Sequence, residues 1–319
     1  MSQNHEILYS VSGDFDPVPE FGARIQQAVM PILGIVDAQL IPYGTGFMVA
    51  ANGLMMTAKH VIQQAWSQRM RKFNEQDRFY DHCELYALYV TSERHADDET
   101  KHVGGLWPID KAWFSQELDV AYCWLRSATR NSEPIRFPIF RLSPGIPKLG
   151  ERVIGFGYYK MEGSELEGLL GEVLGSYSQM TAHSAGKIVQ VFPEKRDSGM
   201  LDFPCFHTDT RFDPGMSGGP VCNESGYVCG VICSSMPKVE DDPRHVSYAS
   251  LIWPAMGIQV DVAIDGGKPE KRLVYELVTK GFVGTDDTIN NLRIDIGPDD
   301  KRTVSIVVPN NVVPKHDEA

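Results

Sequence analysis

Apolar residues in this chain come in short runs, and glycine, proline or asparagine interrupts them at intervals of about ten residues. That spacing predicts many short strands, and so barrels or sandwiches, rather than a few long helices. The clearest pair is Gly46–Ala50 and Leu54–Ala58 around Asn52-Gly53. Asn-Gly between apolar arms marks a tight hairpin because both residues tolerate positive φ. Further strands are expected at Leu85–Thr91, Val120–Leu125, Val153–Tyr159, Lys187–Phe192, Cys205–Thr210, Val221–Cys222, Val228–Cys233 and Ser247–Ile252. Two segments follow helical periodicity instead. The first runs from Val61 to about Glu75, with Ile62, Trp66, Met70 and Phe73 on one stripe. Its Arg69, Arg71 and Lys72 form a solvated basic face near the carboxyl end. The second spans Pro269 to Lys280, with Pro in the first turn and Gly281 as the stop. Leu273, Val274, Leu277 and Val278 give it an apolar face. Leu292–Ile296 and Thr303–Val308 flank Gly297-Pro298-Asp299-Asp300 and read as a closing hairpin.

Proline-bearing linkers at Arg130–Pro138 and Leu142–Leu149 divide the chain. The expected organisation is an all-β protein with an amino-terminal extension (1–33), a first barrel (34–135), a second barrel (136–260) and a helix-plus-hairpin appendage (261–319). The final residues, Pro309 to Ala319, are expected to fray.

Composition narrows the function classes. With 319 residues, 42% hydrophobic and 23% charged, the chain can bury ordinary globular cores. The net charge of −12 and the lack of a dense Lys/Arg run argue against nucleic acid as a partner. The opening MSQNHEILYSVSGDFD has no basic flank followed by an apolar core, so no secretory signal is expected. The most apolar early run, Ala28–Val36, is too short for a bilayer and contains Pro31 and Gly34. A cytoplasmic location without membrane contact is therefore expected. Cys83, Cys123, Cys205, Cys222, Cys229 and Cys233 show no turn-spaced pair of metal ligands, so they are expected to be buried thiols. No metal and no cofactor is expected. His207 is expected in the core with a hydrogen bond, and His82, His95 and His102 at the surface. The runs Asp97-Asp98-Glu99 and Glu240-Asp241-Asp242 read as solvated loops.

Three short stretches carry chemistry. They are Thr57-Ala58-Lys59-His60, Leu118-Asp119-Val120-Ala121 and Gly215-Met216-Ser217-Gly218-Gly219-Pro220. A serine hydroxyl attacks a carbonyl only as a base removes its proton, and histidine titrates in the range that suits this work. A carboxylate must hold the other ring N–H so that the correct nitrogen faces the hydroxyl. His60, Asp119 and Ser217 supply these groups in that chain order, with the first two in the first barrel and the third in the second. The glycines beside Ser217 permit a turn that aims backbone N–H groups at a developing oxyanion, and Gly215 and Ser217 are the expected donors.

The stretch Phe206 to Val221 resembles the nucleophile region of trypsin-like serine proteases, nearest their HtrA/Deg branch. Tyr43-Gly44-Thr45-Gly46-Phe47-Met48-Val49 and Thr57-Ala58-Lys59-His60-Val61 resemble the first-barrel signature of that family, and Leu118-Asp119-Val120-Ala121 its aspartate motif. The resemblance covers residues 34 to 258. It implies a chymotrypsin-like double β-barrel, with His60 as general base then acid, Asp119 as orienter and Ser217 as nucleophile. The chain also departs from the secreted members. Met216 stands where those carry an aspartate that pairs with a newly cut amino terminus, so activation by cleavage is not expected. Ile35-Val36 imitates such a terminus but has no basic cleavage site just upstream. Val61 replaces the flanking cysteine, and the segment after the second barrel is shorter than the PDZ domain that HtrA proteins usually carry.

The position six residues before the nucleophile often lies at the pocket floor in this family; here it is Arg211, which could instead face solvent or pair with Asp213 or Asp209. Cys233, Ser234 and Ser235 resemble the strand that pairs with substrate backbone. The expected function is a serine endopeptidase acting on peptide or protein substrates through an acyl-enzyme. A protease-fold binding module with little turnover is the alternative, and a cysteine-based redox or metal protein is the least supported by the spacing.

Overall fold

The computed structural model describes residues 14–18, 23–36, 39–70, 85–94, 100–126, 129–130, 133–134, 136–163, 177–236, 245–263, 268–297 and 302–307. The first barrel is a closed ring of six strands in the order β2-β3-β4-β7-β6-β5. These are β2 (Val29–Val36), β3 (Gln39–Ala50), β4 (Leu54–Thr57), β5 (Leu85–Arg94), β6 (Thr100–Phe114) and β7 (Ala121–Leu125). The apolar run at Ala28–Val36 supplies β2, which closes the ring by pairing Ile32 with Ala87 of β5. Ile35 and Val36 are paired there with Leu40 and Gln39. The Asn52-Gly53 hairpin joins β3 to β4, with Gly53 at φ +114° and its N–H on Ala50. Among the described residues, no helix is long and apolar enough to cross a membrane.

After a short ladder of β8 (Thr129–Arg130) and β9 (Glu133–Pro134), the chain enters the second barrel. Its strands are β10 (Arg152–Gly163), β11 (Tyr177–Phe192), β12 (Cys205–Thr208), β13 (Pro220–Asn223), β14 (Val228–Met236) and β15 (Val246–Leu251). They run β11-β10-β13-β14-β15-β12, and β12 returns to β11 to close the ring. An amino-terminal strand, β1 (Asp14–Val18), adds to β11 at Thr181–Ala185 before α1 (Ala23–Ala28) leads into the first barrel.

The segment between the barrels is held by main-chain bonds. Phe137 and Phe140 donate to Ala51 and Met48 of the first barrel, and Leu142 bridges Val228 and Thr285. Leu142 thereby ties the second barrel to the carboxyl-terminal region. That region contains β16 (Gln259–Val262), β17 (Glu270–Leu273), α3 (Val274–Thr279), β18 (Leu292–Ile296) and β19 (Arg302–Ile306). The β18–β19 pair is the expected closing hairpin. The helix is shorter than periodicity implied. Glu270–Leu273 pair instead with β16, and the helix begins only after Leu273, whose N–H donates to Glu276. A strand partner outweighs helix propensity over those four residues.

The interior of the first barrel forms one apolar cluster that continues through Phe140 and Leu142 into Val274, Leu277 and Leu292 of the appendage. The second barrel has its own cluster, which includes Phe206, Phe212, Met216, Cys229 and Ile232. The first long helix, α2 (Lys59–Met70), follows β4 directly, and Val61 and Ile62 are buried against the barrel. Phe73, Arg71, Lys72, Cys83, His82, His95, both acidic runs and Pro309–Ala319 lie outside the described residues.

Candidate active site

The site forms where the end of β4, the start of α2, the turn before β7 and the loop between β12 and β13 meet. His60 lies in the first turn of α2. Asp119 lies just before β7 and is 7% exposed. Its two carboxylate oxygens serve one residue. Oδ1 accepts the backbone N–H of His60 at 3.0 Å, and Oδ2 lies 2.8 Å from His60 Nδ1. The carboxylate therefore caps the helix start, where the backbone dipoles favour negative charge, and orients the imidazole at once. An ionised carboxylate only accepts, so Nδ1 carries a proton, and in the neutral ring Nε2 is then the nitrogen that presents a lone pair. That is the tautomer a general base needs. The His60 side chain is 40% exposed, leaving Nε2 a route to a substrate. Lys59 Nζ donates to the carbonyl of Gln116 and so fastens the helix start to the turn that precedes Asp119.

Ser217 arrives from the second barrel on a tight loop. Gly215 has φ +98° and Gly218 +86°, conformations that cost an L side chain free energy. Loop hydrogen bonds run from Met216 N–H to Asp213, from Gly218 N–H to Ile232 and from Gly219 N–H to Met216. Among the described residues, the N–H groups of Gly215 and Ser217 have no backbone acceptor. These are the two donors expected for an oxyanion. The loop also packs tightly on the first barrel. A Cβ on Gly218 would fall well inside van der Waals contact of Thr45 O and Thr57 Oγ1, and 2.9 Å from Ala58 N. Ala58 lies two residues before His60, so the loop that carries Ser217 packs against the segment that leads into His60.

Met216 is fully buried in the second-barrel core, and its sulfur lies 3.4 Å from the N–H of Asp213. Burying such a side chain contributes about 1.5–3 kcal/mol, which fastens the Ser217 loop by packing. Arg211 forms a two-pronged pair with Asp213, Nε to Oδ1 at 2.8 Å and Nη2 to Oδ2 at 2.7 Å. Its side chain is 41% exposed, and the Asp213 contacts raise its pKa. Of the partners considered from sequence, Asp213 is the one it takes.

Ile232 of β14 exchanges hydrogen bonds with the nucleophile loop, receiving Gly218 N–H and donating to Gly219 O. Cys233, Ser234 and Ser235 follow directly. Ser234 and Ser235 pair with Tyr248 and Ser247 of β15, and Cys233 falls in the bulge between Ile232 and Ser234; β13 begins opposite Val231. On the other side, among the described residues, no strand pairs with Ser234 or Ser235. Cys233 is buried, bonded to the Tyr248 carbonyl, and burial together with nearby Asp119 pushes its thiol pKa well up. His207 is half-buried on β12 with its ring 5.4 Å from that of Tyr248. Among the described residues, no group of His, Cys, Asp and Glu side chains is arranged to hold a metal ion.

Two site residues were not assigned from sequence. Thr45 and Thr57 are fully buried polar side chains between the His-bearing and Ser-bearing segments. Their signal was present as a hydroxyl residue inside each apolar signature stretch, since a buried hydroxyl must find a partner.

Residues 44–231 match the trypsin-like peptidase domain. No curated protein matches the chain. Among solved structures, that of Deg5 aligns at 15% identity over 72% of this chain and 85% of its own, with a TM-score of 0.43. The protease domain of MamO from Magnetospirillum magneticum, in its apo form, aligns at 15% identity over 72% of this chain and 94% of its own, with a TM-score of 0.41.

Proposed function

Because the chain belongs to the trypsin-like peptidase family, we propose that it is a serine endopeptidase with His60, Asp119 and Ser217 as its triad. The observation that carries this is the double hold of Asp119 on His60, next to a glycine turn whose Gly215 and Ser217 N–H groups have no backbone acceptor among the described residues. In the proposed cycle, His60 Nε2 takes the Ser217 proton as Oγ attacks the peptide carbonyl. The oxyanion forms against the N–H groups of Gly215 and Ser217. Collapse releases the amine, which leaves with the proton from His60, and an acyl-Ser217 ester remains. Water then attacks that ester by the same route and frees the acid.

The substrate chain adds as a strand along Cys233–Ser235, where, among the described residues, β14 has no strand partner beyond Ile232 on the side away from β15. The resemblance places Arg211 at the substrate pocket, and because it is paired with Asp213 it would lend polarity there without net charge. Fluorophosphonate labelling tests the proposal. Wild-type protein should be modified at Ser217, the Ser217→Ala variant should not react, and a peptide library should be cleaved by the first alone. Equal labelling of both refutes the assignment. Folded wild type that reacts with no probe favours the alternative, a protease-fold peptide-binding module.

A further inference from the structure

The two proposed oxyanion donors pose a mechanical problem. Their hydrogens must stay free for the substrate oxygen, so the Pro214–Gly215 and Met216–Ser217 peptides that carry them must be aimed by other bonds, above all by those that fix the peptides next to them. Gly215, at φ +98° and without a side chain, does little to fix those planes itself. Thr45 of β3 meets this need from the opposite barrel. Its N–H donates to Ser217 O at 2.8 Å. Its hydroxyl donates to Gly215 O at 2.8 Å and accepts the N–H of Tyr158 at 3.1 Å. One residue therefore grips the Gly215–Met216 and Ser217–Gly218 peptides, which lie on either side of the Met216–Ser217 peptide that carries the Ser217 N–H. The same residue's carbonyl accepts the hydroxyl of Thr57 at 2.7 Å, three positions before His60. Thr45 and Thr57 are fully buried, so water cannot replace these bonds.

We propose that Thr45 is a positioning residue for the oxyanion donors, with its hydroxyl fixing, from across the barrel seam, the Gly215–Met216 peptide that joins the two donor-bearing peptides. The inference rests on the serine-peptidase proposal and adds to it a residue that does not touch substrate. Removing an oxyanion donor outright costs about 10²–10³ in kcat. Misaligning one costs less. Thr45→Val keeps the shape and the N–H bond to Ser217 but removes both hydroxyl bonds, so it should lower kcat and fluorophosphonate labelling by about 10- to 50-fold, with KM within about twofold. Thr45→Ser should restore labelling to within about threefold of wild type, because it keeps the hydroxyl. The acid limb of the pH profile should not move, since the Thr45 hydroxyl bonds Gly215 O and Tyr158 N rather than the His60 ring.

A second measurement does not depend on activity. Hydrogen exchange of the segment 213–219 should quicken in Thr45→Val and not in Thr45→Ser, while both barrels keep wild-type protection. Thr45→Val that labels as fast as wild type overturns the proposal, as does unchanged exchange at 213–219. If wild type itself fails to label, the peptidase assignment falls, and the exchange result alone decides whether Thr45 grips the loop.

Discussion

Gly218 and Gly226 make a matched pair for testing how firmly the nucleophile loop is seated. Both have positive φ, +86° and +77°. Around Gly226, in the turn between β13 and β14, a new Cβ would meet nothing within 4 Å. At Gly218 it would meet Thr45 O, Thr57 Oγ1 and Ala58 N, two of them backbone atoms in the wall of the first barrel. Alanine in a left-handed conformation costs about 1–2 kcal/mol at either position. Gly218→Ala adds an overpacking cost of about 1–3 kcal/mol, because those atoms cannot move without disturbing β3 and β4. Urea denaturation should then show Gly226→Ala destabilised by about 1–2 kcal/mol and Gly218→Ala by about 2–5 kcal/mol, with similar slopes. The crowded variant should also lift Ser217 away from Thr45. A displacement of about 1 Å can cost about 10²-fold in rate, so its fluorophosphonate labelling should fall at least that far while Gly226→Ala labels normally. Equal stability losses in the two variants, or wild-type labelling of Gly218→Ala, would refute the close seating of the loop.

Asp119→Asn keeps the shape but removes the carboxylate that receives both His60 bonds, and should lower kcat by about 10³–10⁴; steady-state hydrolysis at unchanged circular dichroism checks this, and activity within tenfold of wild type contradicts it. Burial raises the thiol pKa of Cys205 from 9.0 to about 12 and lifts those of Cys222, Cys229 and Cys233 as well. Below the unfolded value of 9.0 both states hold these protons. Above it the unfolded chain loses them first, so stability should fall by about 1.4 kcal/mol per pH unit for each thiol until the folded thiol titrates as well. Urea midpoints measured from pH 8 to 10.5 should decline, and should flatten when these cysteines are replaced by alanine or valine; a flat profile in wild type contradicts the burial.

Much of the candidate site can be picked out in the sequence because the proposed chemistry needs particular residues in short stretches. His60 follows a hairpin whose Asn-Gly turn is a local signal, and Asp119 precedes an apolar strand. Ser217 sits among glycines that a positive-φ turn requires. Elements that depend on partners were less visible. β6 contains Gly104, Gly105, Pro108, Asp110 and Lys111, which break any alternation, and it is a strand because β5 and β7 flank it. The first half of β11 is rich in Ser, Gln, Thr and His and pairs on both sides, with β10 and β1. The start of α3 was misplaced because Pro269 is a good local start signal, while β16 claims the next four residues. Thr45 and Thr57 were passed over for a related reason. Their hydroxyls are explained only by carbonyls and N–H groups brought near by folding, such as Gly215 O, 170 residues away.

Met216 and Thr45 together indicate how the nucleophile loop is held. In secreted relatives, by the resemblance noted above, an aspartate before the serine waits for a charged amino terminus. Here that position is apolar and fully buried, and a Cβ on Gly157 would meet Met216 Cα at 2.8 Å, so the loop lies closely against β10. Apolar burial carries no proton and needs no freed amine, so this anchor forms when the second barrel folds. What it leaves undetermined is the direction of the peptide planes on the exposed side of the loop, since packing is not directional. The hydrogen bonds from Thr45 supply that direction, and they come from the barrel that carries His60. A loop anchored in one barrel and aimed by the other reaches its working geometry only when the two barrels are docked, and barrel docking is thus the step on which assembly of the site depends.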